Sequence, residues 1–244
     1  MGKMKLLGIS ASPRKTGNSR WLLERALEAA NEAAPGLVQS EVVSMAGKEI
    51  APCISCFRCA EAGDCTIQDD FHELRDKWAE ADAIIYSVPV YHIGIPGQLK
   101  CFIDRLGNTL YHYYGGRVSR TLKSVGVVAQ GSHIFAGQEQ AITTLINHAV
   151  LLSCVPVAGD PWESYLGGAG WTRNEMRKDS LRRLHQEGEA DAMIAVAAAE
   201  SLGKRVVQMA LLLRAGGEAS ADLLREDGSY GAFLGRLRFS DDVV

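Results

Sequence analysis

No stretch of the chain approaches the ~18 consecutive apolar residues of a membrane-spanning helix. The opening "MGKMKLLGIS" has a basic start but no apolar segment with a small-residue cleavage site behind it. Leu6 stands where a myristoylation signal needs Ser or Thr. The expectation is a cytoplasmic protein with no membrane partner. Charge of one sign is also lacking. Lys and Arg number 26 against 29 Asp and Glu, for a formal net charge of −3, so no general basic field draws nucleic acid. The dinucleotide pattern G-x-G-x-x-G, the P-loop ending G-K-[ST] and the zinc motif H-E-x-x-H are all missing. His72, His92, His112, His133, His148 and His185 follow no other metal-ligand spacing.

What is present suits one α/β domain with an extension. The 244 residues are 47% hydrophobic, enough for a sizeable core. Apolar runs at "KMKLLGIS", "VQSEVVSM", "AIIYSVPVY", "SVGVVAQG" and "CVPVAG" read as strands. Between them lie helical patterns: "NSRWLLERALEAANEAA", with Trp21, Leu22, Ala26 and Ala29 on one face, "DDFHELRDKWAEAD", residues 96–106, and "GQEQAITTLINHAVLLS". The alternation predicts a parallel sheet with helices on both faces. Residues 159–173 have no clear period, and a long helical stretch spans roughly 174–213 with a break near Gly188. The expected division is a domain over 1–213 and an extension over 214–244, lying on the domain or on a partner subunit.

The loop "SASPRKTGNS" joins the first strand to the first helix. Ser10, Ser12, Asn18 and Ser19 offer side-chain donors, and Arg14 offers charge. The helix N-terminus adds free N–H groups, a combination that suits a phosphate. A hydroxyl-rich loop without the dinucleotide glycines fits a phosphate monoester better than a pyrophosphate. The plainer alternative is a capped turn, with Asn18 or Ser19 as the cap. After the third strand, Pro89 and Gly94 mark a turn, with Tyr91 and His92 at the strand's carboxyl end.

Taken together, "S-x-S-P-R" (with Pro13 and Arg14) and "P-V-Y-x-x-x-x-P-G-x-L-K-x-F-I-D-R" resemble the NAD(P)H-dependent FMN reductase group of flavodoxin-like proteins, over about residues 5–158. The resemblance implies a doubly wound flavodoxin-like sandwich with five parallel strands in the order 2-1-3-4-5. It also implies FMN, with its phosphate in the Ser10–Ser19 loop and its ring edge at Pro89, Val90, Tyr91, His92, Ile93 and Gly94. "AQGSHIFAGQEQA" resembles the family segment that flanks the flavin, which adds Gln130, Gly131 and Gln138.

Four of the six cysteines fall within "CISCFRCAEAGDC": Cys53, Cys56, Cys59 and Cys65, spaced C-x2-C-x2-C-x5-C. In a reducing cytosol such clusters bind metal or do redox chemistry more often than they form disulfides. Zinc sites usually pair two knuckles across a longer gap. Bacterial ferredoxins use C-x2-C-x2-C, but with three residues before the fourth ligand and a Pro after it; here the gap is five and no Pro follows. The loop, with "GDCTIQDDF", resembles that of the iron–sulfur flavoproteins, which implies a [4Fe–4S] cluster. Cys101 and Cys154 read as buried spectators, and Asp69 and Asp70 as helix caps. "YHYYGG" at 111–116 roofs a flavin or packs a homodimer or homotetramer interface.

The resemblance thus implies an FMN-dependent oxidoreductase that passes electrons between a one-electron donor, such as a ferredoxin, and flavin, with a small-molecule acceptor. The alternatives are an NAD(P)H-dependent FMN or quinone reductase without a cluster, and a redox-sensing thiol module.

Overall fold

The structure is a computed structural model that describes residues 2–117 and 119–237. The elements run β1 (Met4–Ser10), α1 (Asn18–Ala33), β2 (Val38–Ser44), α2 (Cys59–Ala62), α3 (Phe71–Glu80), β3 (Ala83–Pro89), α4 (Gly97–Tyr113), β4 (Ser124–Gly131), α5 (Gln138–Leu151), β5 (Val155–Pro156), β6 (Gly168–Trp171), α6 (Ser180–Gln186), α7 (Ala190–Ala219), α8 (Ala221–Arg225) and α9 (Gly231–Leu234). The sheet is parallel in the expected order β2-β1-β3-β4-β5, and β6 also pairs with β4. No described helix is long and apolar enough to cross a membrane.

Alternation along the strands divides the core in two. Leu7, Ile9, Ile84, Tyr86 and Val88 face α3, α4 and α5, with Trp78, Phe102 and Leu145. Met4, Leu6, Ala83 and Ile85 face α1 and α7, with Leu22, Leu202 and Val206. The α1 and α7 backbones touch at Gly203, where a Cβ would fall 1.9 Å from the Ala26 carbonyl oxygen. The buried face of α1 comprises Leu22, Leu23, Ala26, Leu27 and Ala30. Trp21 and Ala29, expected on that face, lie at its margins.

Three other expectations change. The fifth sheet position is shared: β5 pairs only with Ser124 and Val125, and β6 takes up the carboxyl half of β4 from Val128 to Gly131. Helix α4 continues past residue 106 to Tyr113 and absorbs most of the aromatic run. The long helical stretch begins at Ser180 rather than 174, and it breaks at Gly188, whose φ is 77°.

The boundary expected at 213/214 falls inside α7. Beyond α7 the chain packs on the same body. Phe233 and Leu237 are buried, Arg120 N donates to the Ser229 carbonyl at 2.8 Å, and Arg236 donates to the carbonyls of Thr121 and Ala232. Residues 238–244 of the expected extension lie outside the described residues.

Candidate functional site: a cleft and a cysteine loop at the carboxyl edge

The strand register brings Ser10 beside Ser44 and Ser87, and Pro89 beside Gln130. The loops that leave these ends form a cleft of about 150 Å³. From the first loop it takes Ser12, Arg14, Asn18 and Ser19. Ser10 is fully buried at the start of this loop, and its Oγ has no hydrogen-bond partner. Ser12 Oγ accepts from Arg14 N at 3.1 Å. Pro13 is exposed and does not line the cleft. Asn18 does not cap α1. Its side chain reaches α6 instead, donating to the Arg177 carbonyl at 3.0 Å and accepting from Leu181 N at 3.0 Å.

The loop after β3 contributes Pro89, Val90 and Tyr91 to the cleft. The turn itself is Tyr91–Gly94, closed by a reciprocal pair of backbone hydrogen bonds at 2.9 and 3.0 Å. His92 and Ile93 occupy its centre with φ of 47° and 72°. Left-handed residues of this kind cost about 1–3 kcal/mol each and gather at functional sites. Tyr91, His92 and Ile93 are exposed, so the turn stands above the cleft. The turn is held from below at Gly137, where a Cβ would meet the Ile93 carbonyl oxygen at 2.4 Å.

After β4, Gln130 and Gly131 line the cleft. Gln138 does not. It is buried, and its Nε2 donates to the carbonyls of His133 at 2.8 Å and Gly170 at 3.2 Å, tying the loop to β6. Thr172, Glu175, Met176 and Arg177, from the segment between β6 and α6, complete the wall. Residue types alone assign no chemistry to that segment. Its only signal is the mixed charge of "TRNEMRKDS".

The cysteine loop leaves β2 at the same edge. Cys53, Cys56, Cys59 and Cys65 carry free thiols, with Cys56 the most exposed. Ser55 and Phe57, interleaved between the first three, have φ of 53° and 56°. Burial, with Cys65, Cys56 and Cys53 nearby, pushes the Cys59 thiol up. Among the described residues, no group of three or more His, Cys, Asp or Glu side chains is arranged to hold a metal ion. The far flank of the loop is pinned by polar contacts. Cys65 N donates to Asp64 Oδ1 at 2.6 Å, Arg75 pairs with Asp64, and His72 bridges Asp64 and the Ile67 carbonyl. Asp69 accepts from Ala51 N at 2.9 Å and from Phe71 N at 3.0 Å. Asp70 accepts instead from Glu49 N and Lys48 and provides no side-chain cap for α3.

Residues 4–162 match the NADPH-dependent FMN reductase family. The chain belongs to this family. An iron–sulfur flavoprotein of Methanocaldococcus jannaschii is 35% identical over 218 residues, covering 86% of this chain and 100% of that protein. An iron–sulfur flavoprotein of Methanosarcina thermophila is 34% identical over 174 residues, covering 70% and 85%. Among solved structures, RosB with bound 8-demethyl-8-formylriboflavin-5'-phosphate has a TM-score of 0.67 at 16% identity, covering 91% of this chain and 87% of that one; the likeness is one of fold.

The residues of this FMN reductase family chain match two kinds of group by their chemistry. At the cleft, the hydroxyls of Ser12 and Ser19, Arg14 and the first turn of α1 suit a phosphate, whereas Ser10, with its orphaned Oγ, is fully buried and does not line the cleft. At the loop, four soft thiols suit iron–sulfur or zinc over hard cations. Thiolates are the metal-binding form, and a bound cation offsets the repulsion among them.

Proposed function

We propose that the chain is an FMN-dependent oxidoreductase of the iron–sulfur flavoprotein kind. The observation that carries this reading is the phosphate-suited cleft at the β1/β3 edge, where a doubly wound sheet binds its ligand. When bound, FMN supplies one- and two-electron redox chemistry and a [4Fe–4S] cluster supplies one-electron transfer. Ser12 and Ser19 hydrogen-bond the FMN phosphate, and Arg14 with the α1 N-terminus balances its charge. The cleft, at about 150 Å³, is below the about 300–1,000 Å³ of a small-molecule site. It therefore takes the phosphate end, and the ring rests against the exposed turn. There Tyr91 packs on the ring, and the backbone of Pro89–Gly94 meets its polar edge. Cys53, Cys56, Cys59 and Cys65 are the ligands of the cluster. A ferredoxin-like protein is the one-electron donor and a small molecule the acceptor. Tyr111 and Tyr113, both exposed on α4, belong to a homo-oligomer contact.

The open arrangement of the four thiols favours a second reading, a cluster-free NAD(P)H-dependent FMN or quinone reductase. Anaerobic purification followed by iron, sulfide and flavin assays separates the two. Flavin with about four irons per chain supports the first. Flavin with no iron supports the second. Protein that takes up no FMN on titration sinks both.

A further inference from the structure

Helix α4 meets the cysteine loop with two side chains one turn apart, which places them on one face. Arg105 is almost wholly buried, with a side-chain exposure of 1%. Its Nη1 donates to Asp69 Oδ2 at 2.5 Å and to the Ala51 carbonyl at 3.3 Å. Its Nη2 donates to the Ile67 carbonyl at 2.9 Å and to Cys65 Sγ at 3.3 Å. The guanidinium carbon lies 4.2 Å from the centre of the Phe71 ring. One planar group thus ties the chain ahead of Cys53 to the chain behind Cys65. One turn later, Asn108 Nδ2 donates to Cys53 Sγ at 3.5 Å, and the Asn108 carbonyl accepts from Cys59 Sγ at 3.7 Å.

Burying a guanidinium is costly, and an apolar residue would pack this position at less cost. The Asp69 pair answers the charge, but it does not explain why the other arm of the fork is aimed at a sulfur. A thiol is a weak acceptor, whereas a thiolate accepts a charge-assisted bond. We propose that Arg105 and Asn108 are positioning residues for the cluster: they close the cysteine loop and, by donating to the Cys65 and Cys53 sulfurs, raise the cluster's reduction potential. This rests on the four cysteines being the ligands. Hydrogen bonds to cluster sulfurs favour the more negative, reduced state, so their loss lowers the potential.

The test uses the full chain, reconstituted anaerobically with iron and sulfide, as wild type, Asn108→Ala and Arg105→Lys. Asn108 is exposed, so its replacement leaves the fold intact. Asn108→Ala is expected to keep its iron, with a midpoint potential shifted downward in a titration followed by low-temperature electron paramagnetic resonance. Arg105→Lys keeps the charge but loses the fork. It is expected to lose most of its iron, and its metal-free form to exchange the Ala51 and Phe71 amides about tenfold faster, as for one lost charge-assisted bond. Wild-type potential in an iron-loaded Asn108→Ala overturns the proposal while leaving the cluster reading standing. So does Arg105→Lys with full iron and wild-type potential. A wild type that takes up no iron defeats the cluster reading, and the proposal with it.

Discussion

In the cleft, backbone holds backbone. Ala11 N donates to the Ser87 carbonyl, Met45 N to Ser10, Val90 N to Gln130 and Asn174 N to Ser132, and the Tyr91–Gly94 turn closes on itself. In the cysteine loop, residues 48–57 belong to no helix or strand, and side chains do the holding: Arg105, Asp69, Asp64 and Arg75 grip the two flanks. The centre carries Ile54 and Phe57, both exposed. A site built from ladder ends comes preformed with the sheet. A site strung between two clamped flanks depends on what its centre binds, since metal binding then supplies local folding energy.

The largest expected break in this comparison comes from the loop. Replacing Cys59 with Ala should abolish iron incorporation while leaving FMN bound, because the phosphate cleft stands on other connections. Iron and flavin assays on the same preparation check both halves. Loss of both groups together would mean that the two sites fold as one.

Next in size is Ser12→Glu, which sets a carboxylate in a nearly fully buried position of the cleft. Repulsion of a phosphate across one contact should weaken FMN binding on the order of a hundredfold, with iron content unchanged. Fluorescence titration of flavin-free protein measures it. Unchanged affinity would move the phosphate elsewhere.

The two sites were not equally legible in the sequence. Strands β1, β3 and β4 were plain because each is a continuous apolar run covered on both faces. The cysteine spacing was plain because four cysteines in one short loop are rare by chance. β6 was not, since "GAGW" has no β-branched residue. A Cβ on Gly170 would fall 3.3 Å from Ala195 of α7 and from Leu22 of α1, tighter than side chains normally pack. Gln138 has the right chemistry for a ligand, but its amide is spent on the His133 and Gly170 carbonyls, whereas Asn18 lines the cleft and also bonds the Arg177 carbonyl and Leu181 N. Arg105 stood inside the quoted "FIDR" motif, yet its partner Asp69 lies 36 positions earlier. No local pattern announces a pair so far apart.

A smaller effect is expected where the cleft's own support is disturbed. Gly137 has φ of 106°, and a Cβ there would overlap the Ile93 backbone. Gly137→Ala should destabilise the protein by about 1–3 kcal/mol and lift the Tyr91–Gly94 turn, weakening FMN about tenfold while sparing iron. Urea unfolding and flavin titration check the two parts. A stable variant with full affinity would show that the turn needs no support from below.

The smallest expected effect is one of acidity, and it separates the two modes of holding directly. Burial works against the charge on Asp69, but the Arg105 guanidinium and the N–H groups of Ala51 and Phe71 hold its carboxyl below the usual range. A depressed folded value means that the unfolded chain binds the proton more readily. The stabilisation is therefore complete above the unfolded value of about 3.9 and is lost as the pH falls through the lower folded value. In metal-free protein, the Ala51 and Phe71 amides should lose protection over that window by a few-fold, after correction for intrinsic exchange. The Val90 amide donates to a backbone carbonyl in the cleft at 2.8 Å, with no carboxylate in the bond, and it should keep its protection until the whole domain unfolds. Asp69→Asn should give the open-loop exchange rates at pH 6 already. If the three amides lose protection together, the loop is not held separately by its carboxylate, and the contrast between the two sites fails at this point.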